Sequence, residues 1–364
     1  MCSLTPREKN HPTMGDSPTG ESPVTLLDGG VGEELLAHRG VPDDRLTWSA
    51  KAVSDPTYHD TLRAVHVDFL AAGSQYLTCN NFGVTPGVFG TDQELIRRLT
   101  RVAGEIARQA VAKAPFDESC RVLASLPPLV ESYRPDLALK DHALAVKYYR
   151  SLVIETLDDL VDGWIAETLS SSAEVMDAMD AVSEHVLRGN GDGPRPQQQR
   201  ELFVSMCVKE GGVVRSGEKA SEAVRRVVEH WIASGRGTKR DEMVRLVAVL
   251  FNCSTPHAIS MALDELAEDK QLLSLLDANS IRLGAYPNRL TEIRDDWALG
   301  SSPEPQATRE DFDEAAFVAW AMDVMERHER VRFVGGCCGI RPSYIRALRE
   351  RLGTSNVHRL MSNA

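Results

Sequence analysis

Eight short apolar or β-branched runs recur along this 364-residue chain, each ending in or near a Gly, Asn, Asp, Ser or Thr, and their starts advance by 35 to 50 residues. They occupy residues 25–28, 75–79, 122–126, 163–168, 202–208, 246–252, 281–286 and 331–335. Runs of this length and composition read as buried strands. Between them lie helical patterns at 56–72, 92–114, 143–160, 218–233, 256–266 and 312–327, the first closed by Gly73, a good helix stop. A parallel strand needs a crossover to reach its neighbour, and a strand apolar on both faces must be covered on both. The alternation therefore predicts a parallel sheet clothed by helices. Eight such units fit a closed (β/α)8 barrel of the TIM type, an α/β fold, better than an open sheet. The competing doubly wound fold wants a dinucleotide fingerprint after its first strand, and LLDGGVGEEL lacks a well-formed one. A last helical pattern at 342–352 completes the outer ring, so the barrel is expected over 24–355, with tails at 1–23 and 356–364.

In such a barrel the chemistry gathers at the C-terminal ends of the strands. Cys253 closes the sixth strand (VAVLFNCSTP), and Cys337 with Cys338 closes the eighth (VRFVGGCCGI). These two strands flank the seventh, so their ends come within about 10 Å of each other at the rim. Three thiolates can then converge on one ion. Zinc takes cysteine sulfur at about 2.3 Å in a tetrahedron, and a catalytic site supplies three protein ligands while leaving the fourth place open. Gly335, Gly336 and Gly339 let the backbone bend enough for adjacent cysteines to serve one ion. A buried cysteine by itself is usually a small core hydrophobe, and Cys2, Cys120 and Cys207 are read as structural or incidental.

Composition narrows the partners. The chain has 41 Lys and Arg against 53 Asp and Glu, a net charge of −12, and its cations are scattered. Phosphate backbones and anionic membranes are thereby poor partners, and small molecules good ones. No stretch of some eighteen apolar residues is long enough to span a bilayer. Residues 1–23 are rich in Pro, Ser and Thr, without a secretory pattern, and read as a disordered tail. Seven cysteines, an odd number, together with that leader, point to a reducing, cytoplasmic setting.

At this point the sequence resembles a known family. GGCC after the last strand, NC after an earlier one, DGG after the first, and the stretch LASLPPLVESYRPDL together look like the zinc-dependent homocysteine S-methyltransferases. The likeness runs from about Val24 to Leu352, and LPPL with SYRPDL is similar to the branch common in plants and fungi. The resemblance implies one Zn2+ held by Cys253, Cys337 and Cys338, and methyl transfer onto the sulfur of homocysteine. It also implies that Asp28 and Glu167 (WIAETL) hold the substrate ammonium. Relatives place a Thr or Ser where this chain has Thr78 and Cys79, so either is a candidate for the substrate carboxylate; Asn252 is a further supporting or substrate contact. Trp48 with Ser49, and Tyr286 to Asn288 (YPN), resemble further signatures near the pocket. Cobalamin-using relatives carry more domains and betaine-using ones a long C-terminal arm, so a sulfonium donor, S-methylmethionine or S-adenosylmethionine, and a monomer are expected.

Three alternatives stay open on sequence. One is methylation of selenocysteine or another thiol. Another uses Cys337 or Cys338 as a redox or acyl-transfer nucleophile, with His257 at a helix start as the nearest, exposed, partner. A third is a non-catalytic barrel that binds sulfur amino acids. The GNGDG run at 189–193 follows no strand and reads as a flexible connection, and the acidic segment 292–314 as a solvated one.

Overall fold

The structure, a computed structural model, describes residues 24–44, 46–113, 120–188, 199–235, 240–299 and 306–362. The expected N-terminal tail and the GNGDG connection lie outside the described residues. Eight strands form one sheet: β1 Thr25–Leu26, β2 Tyr76–Thr78, β3 Arg121–Leu126, β4 Gly163–Leu169, β5 Arg200–Met206, β6 Val244–Asn252, β7 Arg282–Tyr286 and β8 Val331–Val334. Every ladder between them is parallel, and the order round the sheet is β1, β8, β7, β6, β5, β4, β3, β2. This is the predicted (β/α)8 barrel. Its last seam, between β1 and β2, is made without a ladder. Gln75 N–H donates to Leu26 O at 2.8 Å, and Leu26 N–H to the Gln75 side-chain oxygen at 3.1 Å.

Strand side chains alternate between the lumen and the helical layer. Inward-facing Leu27, Tyr76, Leu123, Ile165, Phe203 and Phe333 fill the barrel. Tyr76, Phe203 and Phe333 meet edge to face at centroid distances of 5.0 to 6.2 Å. Each such side chain contributes about 1.5–3 kcal/mol by burial, and together they give the rim a solid floor. Outside, the helix Gln93–Lys113 turns Ile96, Leu99, Ala103, Ile106 and Ala110 to the sheet, at the three- and four-residue spacing of one face. Gly73, with φ +111°, ends the helix His59–Ala72 as predicted.

Four local readings are corrected. The run 202–208 is two elements: β5 stops at Met206, and Val208–Lys209 pairs with Val213–Val214 as a small antiparallel hairpin. The pattern 143–160 is a helix interrupted by a π turn at Tyr149–Ile154, which aims the Tyr149 hydroxyl at Pro127 O, 2.9 Å away, beneath the loop after β3. Gly353 does not end the last helix, which runs Pro342–Ser362 through most of the segment expected as a tail; no neighbouring atom lies near Gly353 to oppose it. Helices Ser172–Arg188 and Lys270–Ala278 were not among the expected elements. Among the described residues, no helix is long and apolar enough to cross a membrane.

Candidate functional site

The rim places the predicted sulfurs together. One atom each from Cys253, Cys337 and Cys338 lies within 4.8 Å of the others, and Cys253 Sγ is 4.0 Å from Cys338 Sγ. Four sulfurs set tetrahedrally about 2.3 Å from an ion would stand about 3.8 Å apart, so the cluster fits a soft divalent metal. Among the described residues it is the one such group of three metal-binding side chains.

Local backbone explains the convergence. Cys253 leaves β6 with φ +46°, which turns its side chain off the strand direction. The GGCC turn is knitted to both neighbouring loops: Gly336 N–H donates to Asp28 O, Cys337 N–H to Pro287 O, and Arg289 N–H to Cys338 O, all within 2.9 Å. Gly30 permits this approach, since a Cβ there would fall 2.5 Å from Cys337 O. Hydrogen bonds from Cys337 and Cys338 pull the Cys253 thiol well below its usual range and push the other two up, so this cluster already favours one thiolate.

Over the sulfurs opens a cavity of about 830 Å³. Asp28, Glu167, Thr78 and Cys79 line it. Asp28 accepts the Thr78 N–H at 2.8 Å, yet burial raises its pKa to about 7. Burial likewise pushes Glu167 up to about 8, although the Ser125 hydroxyl donates to it. Cys79 is buried and its thiol is pushed up to about 12, so of the adjacent pair it is Thr78 that brings a polar group to Asp28.

Asn252 is not in the cavity lining. It is fully buried behind the wall, accepts from Thr168 N–H (3.0 Å) and the Ser205 hydroxyl (2.7 Å), and donates to the Thr168 hydroxyl (2.9 Å). It thus steadies Thr168, which has φ +61° directly after Glu167. Its role is the supporting one, because the turn at Cys253 aims the next side chain, not this one, at the lumen. His257 stands on the outer surface, 3.7 Å from Glu210.

The roof was not foreseen. Tyr133, from the SYRPDL loop, is buried and puts its hydroxyl 2.8 Å from Cys253 Sγ. Its ring meets Trp297 edge to face at 5.2 Å. Leu290, Ile293, Trp297, Leu299 and residues 306–308 line the cavity, so the parts of the acidic segment at 292–299 and 306–308 fold over the site and are not merely a solvated connection. Its charged residues mask a few apolar side chains that face inward. Cys207, read as incidental, packs in the same buried cluster as Tyr133, Cys253 and Cys338. Arg215, buried after the hairpin, holds the two roof loops together: Nε donates to Tyr133 O at 2.9 Å, Nη1 to Ile293 O at 3.1 Å and Nη2 to Arg294 O at 3.0 Å. The only signal that could have marked Tyr133 was its place in the SYRPDL motif.

Barrel, converging cysteines and carboxylate-lined cavity define a barrel enzyme that handles thiols at a metal-competent rim. Residues 25–352 match the homocysteine S-methyltransferase family, and the chain belongs to it. It is 25% identical over 347 residues to the selenocysteine Se-methyltransferase of Brassica oleracea var. italica, covering 90% of this chain and 88% of that protein. It is 24% identical over 351 residues to homocysteine S-methyltransferase 2 of Arabidopsis thaliana, covering 90% and 92%. The fold is that of the homocysteine methyltransferase MmuM from Escherichia coli in its metallated form, with TM-score 0.63 at 21% identity over 90% of this chain and 96% of that one.

Proposed function

We propose that the protein transfers a methyl group from a sulfonium donor, S-methylmethionine or S-adenosylmethionine, to the thiol of homocysteine, with zinc held by Cys253, Cys337 and Cys338. The observation that carries this reading is a cluster of three sulfurs beneath a cavity lined by Asp28, Glu33, Asp43, Glu131 and Glu167 and, among the described residues, by no Lys, Arg or His. Such a wall favours cations. When bound, zinc keeps an incoming thiol ionised near neutral pH.

The chain's own residues do the rest. Asp28 and Glu167, with no Lys, Arg or His beside them in the lining among the described residues, take the ammonium of the acceptor amino acid, whose charge returns both to the ionised state. Thr78 holds Asp28 in place through its N–H. Trp48, Tyr133 and Trp297 give the cavity aromatic faces, which attract a sulfonium. Methyl transfer then cancels opposite charges: donor sulfur becomes a neutral thioether as the acceptor thiolate becomes another. A cavity shielded from water favours that cancellation, because charge is lost on the way to products.

The selenocysteine Se-methyltransferase among the relatives supports selenocysteine as a second acceptor. A monomeric protein in the reducing cytoplasm, where free cysteines persist, completes the reading. Zinc-loaded protein should methylate homocysteine or selenocysteine in a panel of the two donors. Metal-replete protein that forms no methylated product from any pair overturns the proposal.

A further inference from the structure

A thiolate metal centre that transfers methyl groups has a selectivity problem. Three of the sulfurs on it belong to the protein, and any of them that took the methyl group would become a neutral thioether and cease to be a good ligand. The sulfur most in need of protection is the one under the roof, where a donor must lie. That sulfur is Cys253 Sγ, since it is the one in contact with Tyr133 Oη, at 2.8 Å. Asn288 Nδ2 stands on it as well, at 3.9 Å.

The phenol is held there against backbone preference. Tyr133 has φ +63°, a left-handed conformation that disfavours a non-glycine residue, so the surroundings must impose it. Arg215 does so: besides donating to Tyr133 O, its guanidinium lies 5.4 Å from the centroid of the Tyr133 ring and reaches the other roof loop through Ile293 O, Arg294 O and the Asp295 carboxylate. Packing alone would be served by a phenylalanine on relaxed backbone. A thiolate held to a metal carries no proton, so with a metal on Cys253 the phenol would be the donor in this pair.

Resting on the methyl-transfer reading above, we propose that Tyr133, positioned by Arg215, is a selectivity residue whose O–H bond to Cys253 Sγ keeps the methyl group off the protein's own sulfur. In the competing step the donor's S–CH3 bond breaks with its electron pair left on the donor sulfur, which becomes a neutral thioether. A lone pair of the Cys253 thiolate forms the new S–CH3 bond, and no proton moves. A lone pair engaged by a hydroxyl must first be released, so the hydrogen bond slows attack by Cys253 relative to attack by the acceptor's sulfur.

The test uses zinc-loaded wild type, Tyr133→Phe and Arg215→Met. Each is incubated with S-methylmethionine or S-adenosylmethionine without acceptor, and peptide mass spectrometry follows methylation of Cys253. Zinc content and methionine formation from homocysteine are measured in parallel. Tyr133→Phe should gain one methyl on Cys253 about tenfold or more faster than wild type, the factor one hydrogen bond to a charged group supplies, and lose zinc in step. Arg215→Met, in which the phenol is present but released, should show the same mark at an intermediate rate, and serves as the readout should Tyr133→Phe not fold. If wild type makes methionine and the folded variants leave Cys253 unmodified, the selectivity role is overturned while the methyl-transfer reading stands. If wild type makes no methylated acceptor, that reading falls and this role with it.

Discussion

Two glutamates at opposite ends of the barrel, Glu201 buried and Glu167 partly open to the cavity, have opposite surroundings. At the base, Glu201 receives the Tyr76 hydroxyl at 2.6 Å, Arg245 Nη2 at 2.7 Å and Arg121 Nη1 at 3.3 Å. At the mouth, Glu167 has a serine hydroxyl and the like charges of Asp28 and Cys253 for company. A carboxylate taken from water needs a cation or must keep its proton. The base supplies the cation from within the chain, so that end is complete as folded. On the proposed reading the mouth leaves that place for a substrate's ammonium, and the fold bears the cost of an uncompensated group there.

The largest contrast between the two ends should come from cysteine. Cys338→Ala at the mouth should lose bound metal and methyl transfer together, whereas Cys120→Ala, beside the base of β3, should keep both; equal metal content by atomic absorption would erase the distinction. Next comes binding. Glu167→Gln should weaken homocysteine by about 10- to 100-fold, as expected for one charge-assisted contact, and Glu201→Gln should leave it unchanged, which apparent KM values would check.

Stability should move the other way. The raised pKa of Glu167, about 8 against an ordinary 4.5, means that its favourable contribution is present below pH 4.5 and is lost as pH rises towards 8. Glu167→Gln should therefore gain about 1–3 kcal/mol at pH 8 and little at pH 4. Glu201→Gln, which strands two arginines, should lose about 1–3 kcal/mol at neutral pH. Melting curves at both pH values decide this, and shifts of the same sign would contradict the comparison. The smallest effect is on product binding. Methionine has the same ammonium but no titrating thiol, and its affinity should rise between pH 6 and pH 8 as Asp28 and Glu167, with pKa values of about 7 and 8, give up their protons. Calorimetry that finds a flat profile would remove these two carboxylates from the ammonium site.

What could be read from the sequence follows the same division. Strands declare themselves by local composition, and all eight lie within two or so residues of the predicted places. Cys253 and the Cys337–Cys338 pair were legible because barrel order alone brings the ends of β6 and β8 together. Tyr133, Arg215 and Trp297 were not, because they meet through loops that have no period to read. Arg215 is a surface type by composition, and the three carbonyls and the Asp295 carboxylate converging on it explain its burial. Asn252 was visible by position, but its direction depended on the unusual turn at Cys253.

The seam between β1 and β2 has a consequence for motion. Side chains of Gln75 and Asp28 stand in for ladder partners there, and Asp28 spans the gap to Thr78 N–H just where a ligand's ammonium would sit. An occupied site acts as mortar in the thinnest joint of the wall. Amide protons of residues 76–78 should then exchange with solvent more slowly in the presence of methionine, making the barrel's least-fastened edge its most responsive one.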